Sequence, residues 1–531
     1  MTKEMIGMEI LMKRADLFLM IIVTSLFLGE WTQAEVFLPG TQPKENDILV
    51  SKVKLCKSCH SKTGDERAEP YKNWQGGMMS QASRDPVYLA AQTIANQDIP
   101  GVGEYCIRCH SASGWFEGRS TNPDGSGLLE HDKNGVACTI CHRLVDPLSD
   151  EGKRLVETPA PGYGNGMMVM TDNDTLFGPY SNSPPVMTHK TVKSDFLASS
   201  EFCGTCHDVS NPLAANDIKI DPPASYGIIE RTYSEWLLSD YSTGAEKKTC
   251  QSCHFPVIEG GGKAARHKDS PHRDYMVQHG PVGGSIWVQK AIIDIYGKKT
   301  VDADALLQGI QKTKDFLKTA AQLELTFPES GTVTLRVTNL TGHKLPTGYI
   351  EGRRMWVNIR FLDTKGEIIK EIGEYKQIDT EIDGIKIKAR SLTDASSTRV
   401  YECLPGLSDE QARKYDKKPG KSFHFVLNDI ITRDTRIPPK GFNNAAFAER
   451  GCAPVGIEYA DGQYWDDITF KLPDNCAQVE AALIYEPVTM EYIKFLVEEN
   501  RTDDLGKTLL NVWRNASDET AFVIGTVKAT F

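Results

Sequence analysis

The chain has 531 residues, 40% of them hydrophobic and 25% charged, and carries a net charge of −11. That length accommodates two or three domains. The acidic balance argues against a nucleic-acid partner and favours docking to a basic surface on another protein.

Taken in order, the sequence begins with Lys13 and Arg14 ahead of an apolar run over residues 17–28, and Thr32 and Ala34 stand where a processing enzyme would cut. This layout predicts a secretory signal peptide over residues 1–34. An uncleaved anchor is the alternative, but the run is too short to span a bilayer comfortably. No cysteine lies near the cut for a lipid anchor, and no later apolar run is long enough to cross a membrane. The expected location is the periplasm or the cell exterior, with no transmembrane segment in the mature chain. Residues 35–55, with Pro39-Gly40 and Pro43 as breakers, read as an exposed lead-in.

Five Cys-x-x-Cys-His motifs follow: Cys56-Lys-Ser-Cys59-His60, Cys106-Ile-Arg-Cys109-His110, Cys138-Thr-Ile-Cys141-His142, Cys203-Gly-Thr-Cys206-His207 and Cys250-Gln-Ser-Cys253-His254. Such a motif attaches c-type haem: two thiols add across the porphyrin vinyl groups, and the histidine takes the proximal axial position. Disulfides or a zinc ribbon would not explain a histidine after every pair. The expectation is five covalently attached c-type haems. The stretches between motifs are irregular and rich in Gly, Pro, Ser and Asn, with one clear helix over residues 83–96 and its apolar stripe Val87, Ala90, Ala91 and Ile94. With so little aliphatic material, the porphyrins must form the core of a mostly α/irregular domain over residues 35–320.

A helix is predicted over residues 302–323, with Leu306, Leu307, Ile310, Phe316, Leu317 and Ala320 as its apolar face. The pattern then changes to period-two alternation at Val333/Leu335/Val337, Met355/Val357/Ile359/Phe361, Phe423/Phe425/Leu427, Ile468/Phe470/Leu472 and Val479/Ala481/Leu483. Alternation broken by turns predicts an antiparallel, immunoglobulin-like β-sandwich over residues 321–531. One inserted helix is expected over residues 489–500, with Ile493, Leu496 and Val497 inward. The fold class is therefore α+β multidomain. Cys403, Cys452 and Cys476 lie outside the motifs, and in an oxidising compartment one disulfide and one leftover thiol are expected.

Together, residues 74–86 (Trp74 to Pro86), 135–142, 202–208, Thr341-Gly-His-Lys-Leu-Pro-Thr-Gly348, residues 436–442 and residues 491–496 resemble exported multihaem cytochromes c with an appended β-sandwich. The resemblance spans nearly the whole mature chain and implies electron transfer between respiratory redox partner proteins. It also places Met79 where related cytochromes carry a distal histidine, and marks His343, in its glycine- and proline-shaped loop, as a distal ligand lent by the β-sandwich.

Seven of the twelve histidines are left for distal positions. His131, seven residues before Cys138, and His189, fourteen before Cys203, are candidates by position; of His267, His272 and His279, the last is preferred. His424, between Phe423 and Phe425, reads as a strand histidine. A catalytic alternative, a reductase of nitrite, hydroxylamine or a sulfur oxyanion, needs an iron with an open axial position. The chain has no Cys-x-x-Cys-Lys motif, and its spare histidines suffice on number to close every site.

Overall fold

The computed structural model describes residues 38–45, 53–171, 174–184, 188–211, 227–327, 329, 331–516 and 519–530. The proposed signal peptide lies outside the described residues. The lead-in departs from expectation where it is described: Leu38 and Thr41 are buried, and Arg108 donates to the carbonyls of Leu38 and Pro39. A buried guanidinium needs acceptors, and this segment supplies them.

The helix expected at 83–96 forms over Pro86–Asp98, with Asp85 as its cap accepting from the Val87 and Tyr88 amides. Proline at the first helical position costs nothing, since its amide would have no helical partner there. Val87, Ala90 and Ile94 are buried as the stripe required. The later helix is shorter than its apolar pattern, ending at Leu317 and covering Ala303–Leu317. Residues beyond it are taken by the strand Ala321–Thr326, which pairs antiparallel with Thr332–Asn339. Leu306, Ile310 and Leu317 are buried, whereas Leu307 is 49% exposed. Adjacent helical positions are rotated by about 100°, so both leucines cannot share one face.

Two antiparallel sheets follow. Three strands, Trp465–Lys471, Thr332–Asn339 and Ala321–Thr326, make one. In the other, Arg354–Leu362 is central: it pairs with Gln478–Glu486 on one side and with Val400–Leu407 and Ile368–Ile372 on the other. Phe522–Thr530 closes the far edge against Gln478–Glu486. Val333, Leu335 and Val337 of the small sheet share a core with Val357, Ile359, Phe361, Ala481 and Leu483 of the large one. Four of the five expected strands thus appear, beside strands the pattern did not single out, including the ribbon Tyr375–Ile382 with Ile385–Leu392.

Residues 423–427 are a correction, because they make a turn and not a strand. Phe425 donates its amide to the Phe423 carbonyl and Leu427 to that of His424, so their backbone groups are used locally. The inserted helix is present as Met490–Glu498, capped by Thr489, with Ile493, Leu496 and Val497 buried. A second helix, Leu505–Asn515, lies beyond it.

Cys403, Cys452 and Cys476 are all free thiols, against the expectation of a disulfide. They are held apart in separate apolar clusters: Cys403 with Ile228 and Ile350, Cys452 with Phe442 and Phe447, and Cys476 at the edge of the main core. That main core also crosses residue 320, joining Val87, Ala90, Ile94, Trp287 and Ile292 to the sandwich.

Candidate haem sites

Four motifs lie on short helices: Val53–His60, Gly103–His110, Cys138–Arg143 and Cys250–His254. The fourth begins in Ser200–Gly204, and the His207 amide continues the helical turn by donating to the Cys203 carbonyl at 2.9 Å. Helical winding suits the chemistry, because residues at i, i+3 and i+4 share one face. Both thiols and the imidazole of a motif therefore stand together.

The motifs also converge on one another. The thiols of Cys56 and Cys138, of Cys109 and Cys206, and of Cys203 and Cys250 lie within hydrogen-bonding reach. The fourth motif accordingly borders the second and the fifth, and the first borders the third.

Every motif histidine has its Nδ1 engaged. His60, His110, His142 and His254 bond the carbonyls of Ala264 (2.8 Å), Ala82 (3.3 Å), Phe177 (2.6 Å) and Val282 (2.7 Å). His207 bonds the Glu230 carboxylate at 3.1 Å. An imidazole that donates through one nitrogen keeps the other as the metal-binding lone pair. Burial pushes His110 down to about 4, His279 to about 3 and His343 to about 4, so these rings are neutral near pH 7, the form that ligates a metal. His207 goes the other way: burial lowers it, but Glu230 outweighs burial and raises it to about 9.

Three motif-histidine rings face another imidazole. His60 and His189 have ring centroids 6.5 Å apart, His142 and His279 6.4 Å, and His254 and His343 6.3 Å, with interplanar angles of 23°, 21° and 33°. A metal–imidazole bond of about 2.0 Å, plus about 1.1 Å from nitrogen to ring centre, puts two rings across one metal about 6.2 Å apart. The three separations match that value. Among the described residues no group of three or more His, Cys, Asp or Glu side chains could hold a metal ion. Two facing imidazoles leave the equatorial positions to a macrocycle, and the paired thiols offer its attachment. These residues fit c-type haem.

The remaining candidates are placed differently. His131 directs Nε2 at the neighbouring Asp132 carboxylate, 3.6 Å away, and among the described residues faces no motif-histidine ring. The Met79 carbonyl accepts from the Val136 amide at 2.9 Å, which sets its backbone two residues from Cys138, while Ala82 of the same segment holds His110. His267 and His272 are exposed. His424 is occupied on both nitrogens, by Asp98 at 2.7 Å and Lys417 at 3.3 Å. Among the described residues, His110 and His207 thus face no second imidazole; the His110 ring instead stacks on Tyr88 at 3.8 Å. Having enough histidines by number does not give every motif ring a facing imidazole, because four of the seven spare ones, His131, His267, His272 and His424, are exposed or paired elsewhere.

His343 is held by a buried charge network that sequence reasoning missed. Lys344 Nζ pairs with Asp434 at 2.7 Å, Arg436 with Asp434 at 2.7 Å and with Glu235 at 3.0 Å, and all four side chains are at most 3% exposed. Glu235 also accepts from the Lys344 amide and from the Thr347 hydroxyl. Glu235 belongs to the helix Thr232–Leu237, so the β-domain loop is fastened to the motif region by two acids and two bases that cancel. Burial would raise the Asp434 carboxyl, but Arg436 and Lys344 hold it below the ordinary value. Close approach is built into the loop: a Cβ on Gly342 would stand 3.1 Å from the Trp236 ring, and Gly348 adopts φ +95°. Nothing in the local pattern marks Glu235 as the partner; only its placement does.

The chain has the fold of a multihaem cytochrome. It is similar to the penta-heme cytochrome c552 from Thermochromatium tepidum, with a TM-score of 0.54 over 91% of this chain and 99% of that one, at 15% sequence identity. At that identity the likeness is one of fold. No protein-family model and no curated protein matches the chain. No helix among the described residues is long and apolar enough to cross a membrane.

Proposed function

We propose that this protein is an exported c-type cytochrome that carries five covalent haems and moves electrons between respiratory redox partners in the periplasm or outside the cell. The single observation that carries the reading is the set of three imidazole pairs, His60/His189, His142/His279 and His254/His343, each at the separation of two axial ligands on one metal. Cys56, Cys59, Cys106, Cys109, Cys138, Cys141, Cys203, Cys206, Cys250 and Cys253 would hold the porphyrins. Bound haem supplies one-electron chemistry, and the chain sets spacing, ligation and access. Its own residues orient each motif imidazole through Nδ1, and burial keeps His110, His279 and His343 neutral. The acidic chain suits a partner with a basic docking surface.

A second reading has an observation of its own. Among the described residues His110 and His207 face no imidazole, which leaves two sites where His131, Met79 or a small exogenous molecule could stand opposite. An open position favours a reductase of a small oxidant such as nitrite, hydroxylamine or a sulfur oxyanion. Paramagnetic resonance of the ferric protein separates the two. All sites low-spin, with no turnover of small oxidants, is the carrier outcome; high-spin iron together with turnover of one of those oxidants overturns it in favour of the reductase.

A further inference from the structure

The five proximal histidines are held by two kinds of acceptor. Four of them bond neutral backbone carbonyls, whereas His207 Nδ1 meets Oε1 of Glu230 at 3.1 Å. The same carboxylate oxygen accepts from the Thr232 hydroxyl at 2.9 Å. Glu230 ends the short strand Ile228–Glu230, which is paired to Val209–Ser210 just after the fourth motif. Backbone pairing therefore presents the carboxylate to His207, and the Thr232 hydroxyl competes with the imidazole for the same oxygen.

Charge decides the consequence. A carboxylate accepts a hydrogen bond roughly twice as strongly as a neutral oxygen. It draws the Nδ1 proton toward itself, leaves more electron density on the far nitrogen, and makes the imidazole a stronger donor to its metal. Stronger donation favours the oxidised metal and lowers its reduction potential. A backbone carbonyl, as at the other four sites, does this only weakly.

The place of this site gives the effect a role. Cys206 reaches Cys109 and Cys203 reaches Cys250, while Cys141 of the third motif lies close to both Cys203 and Cys206. The fourth motif is thus where the second, third and fifth meet. Resting on the haem-carrier reading above, we infer that Glu230 is a positioning residue that depresses the potential of the fourth site. Electrons then rest on the arms of the array and cross the junction only in transit.

Two substitutions with opposite expected signs test this. Glu230→Gln keeps an acceptor of similar shape but removes its charge. It should raise one potential, shifting that site's reduction equilibrium about tenfold, which is about 59 mV for one electron, and leave the others in place. Thr232→Val removes a competing donor from the carboxylate, so the same potential should fall. Spectropotentiometric titration of the full-length holoprotein reads both. Potentials that stay put in Glu230→Gln, or that move the same way in both variants, overturn the inference, since a merely structural contact would loosen the site alike in each. If Glu230→Gln fails to mature, the sign of the Thr232→Val shift decides alone. A wild-type protein lacking covalent haem would instead defeat the functional reading on which this rests.

Discussion

His279 and His343 show how differently two residues of one type can be signalled. His279 lies among two other histidines in a Gly/Pro-flanked segment, and only its burial opposite His142 separates it from exposed His267 and His272. His343 stands in a loop whose glycines and proline already marked it as shaped. If both are axial ligands, His279→Ala and His343→Ala should each turn one haem of the ferric protein high-spin and leave the rest unchanged; a variant with a fully low-spin spectrum would remove that residue from the ligand set. Glu351 makes a prediction of another kind. Burial pushes its carboxyl up to about 8 from an ordinary 4.5, and its Oε1 has no hydrogen-bond partner. The folded state therefore binds a proton that the unfolded chain releases. The protonated side chain's contribution is fully present below pH 4.5 and is lost as pH rises toward about 8. Glu351→Gln should flatten this dependence, read as denaturant midpoints of both proteins at about pH 5 and pH 8. A wild-type slope that persists in the variant assigns it to other groups.

Among the elements, the loop over residues 341–348 and the helix Met490–Glu498 differ in what holds them. The loop depends on Lys344, Asp434, Arg436 and Glu235 together, so Lys344→Met leaves excess negative charge in a dry site. Breaking one partner of a buried ion pair costs about 3–5 kcal/mol, and here it should also broaden the signal of the site at His254. Urea unfolding gives the energy, and an undiminished midpoint would show that the network is not dry. The helix depends on a local cap: Thr489 Oγ1 accepts from the Tyr492 amide at 3.2 Å. Thr489→Ala should cost about 1 kcal/mol and leave the haem spectrum as it was. That helix was readable because its stripe is long and its cap adjacent. Residues 423–427 were misread because three alternating apolar residues are too few to separate a strand from a turn. Phe423 reaches Tyr492 and Phe495 from the turn.

For the whole molecule, two measurements bear on organisation. Intact mass with pyridine haemochrome analysis should give five haems per mature chain; four or fewer on matured protein would make one motif an imitation. Expression of residues 35–320 alone should yield poorly folded material, because Val87, Ala90, Ile94 and Trp287 have their core partners beyond residue 320. Thr93 bonds Asp503 and Gln97 bonds the Glu499 carbonyl across the same boundary. A soluble, fully loaded fragment would restore two independent domains.

The motifs, their helical winding, the strands at Val333–Val337 and Val479–Leu483, and the capped helix after Thr489 are encoded within a few residues of chain, so the sequence by itself determined them. Period and spacing are local quantities, and hydrogen bonds closed within one helix or cap need no distant partner. Which imidazole faces which, why His424 goes to Asp98, why Cys403 and Cys452 stay apart, and that Glu230 and Glu235 converge on His207 and on the His343 loop were decided only by the tertiary structure. Those pairings join residues tens to hundreds of positions apart, and only packing of buried surface and cancellation of buried charge select one partner among many of equal chemistry.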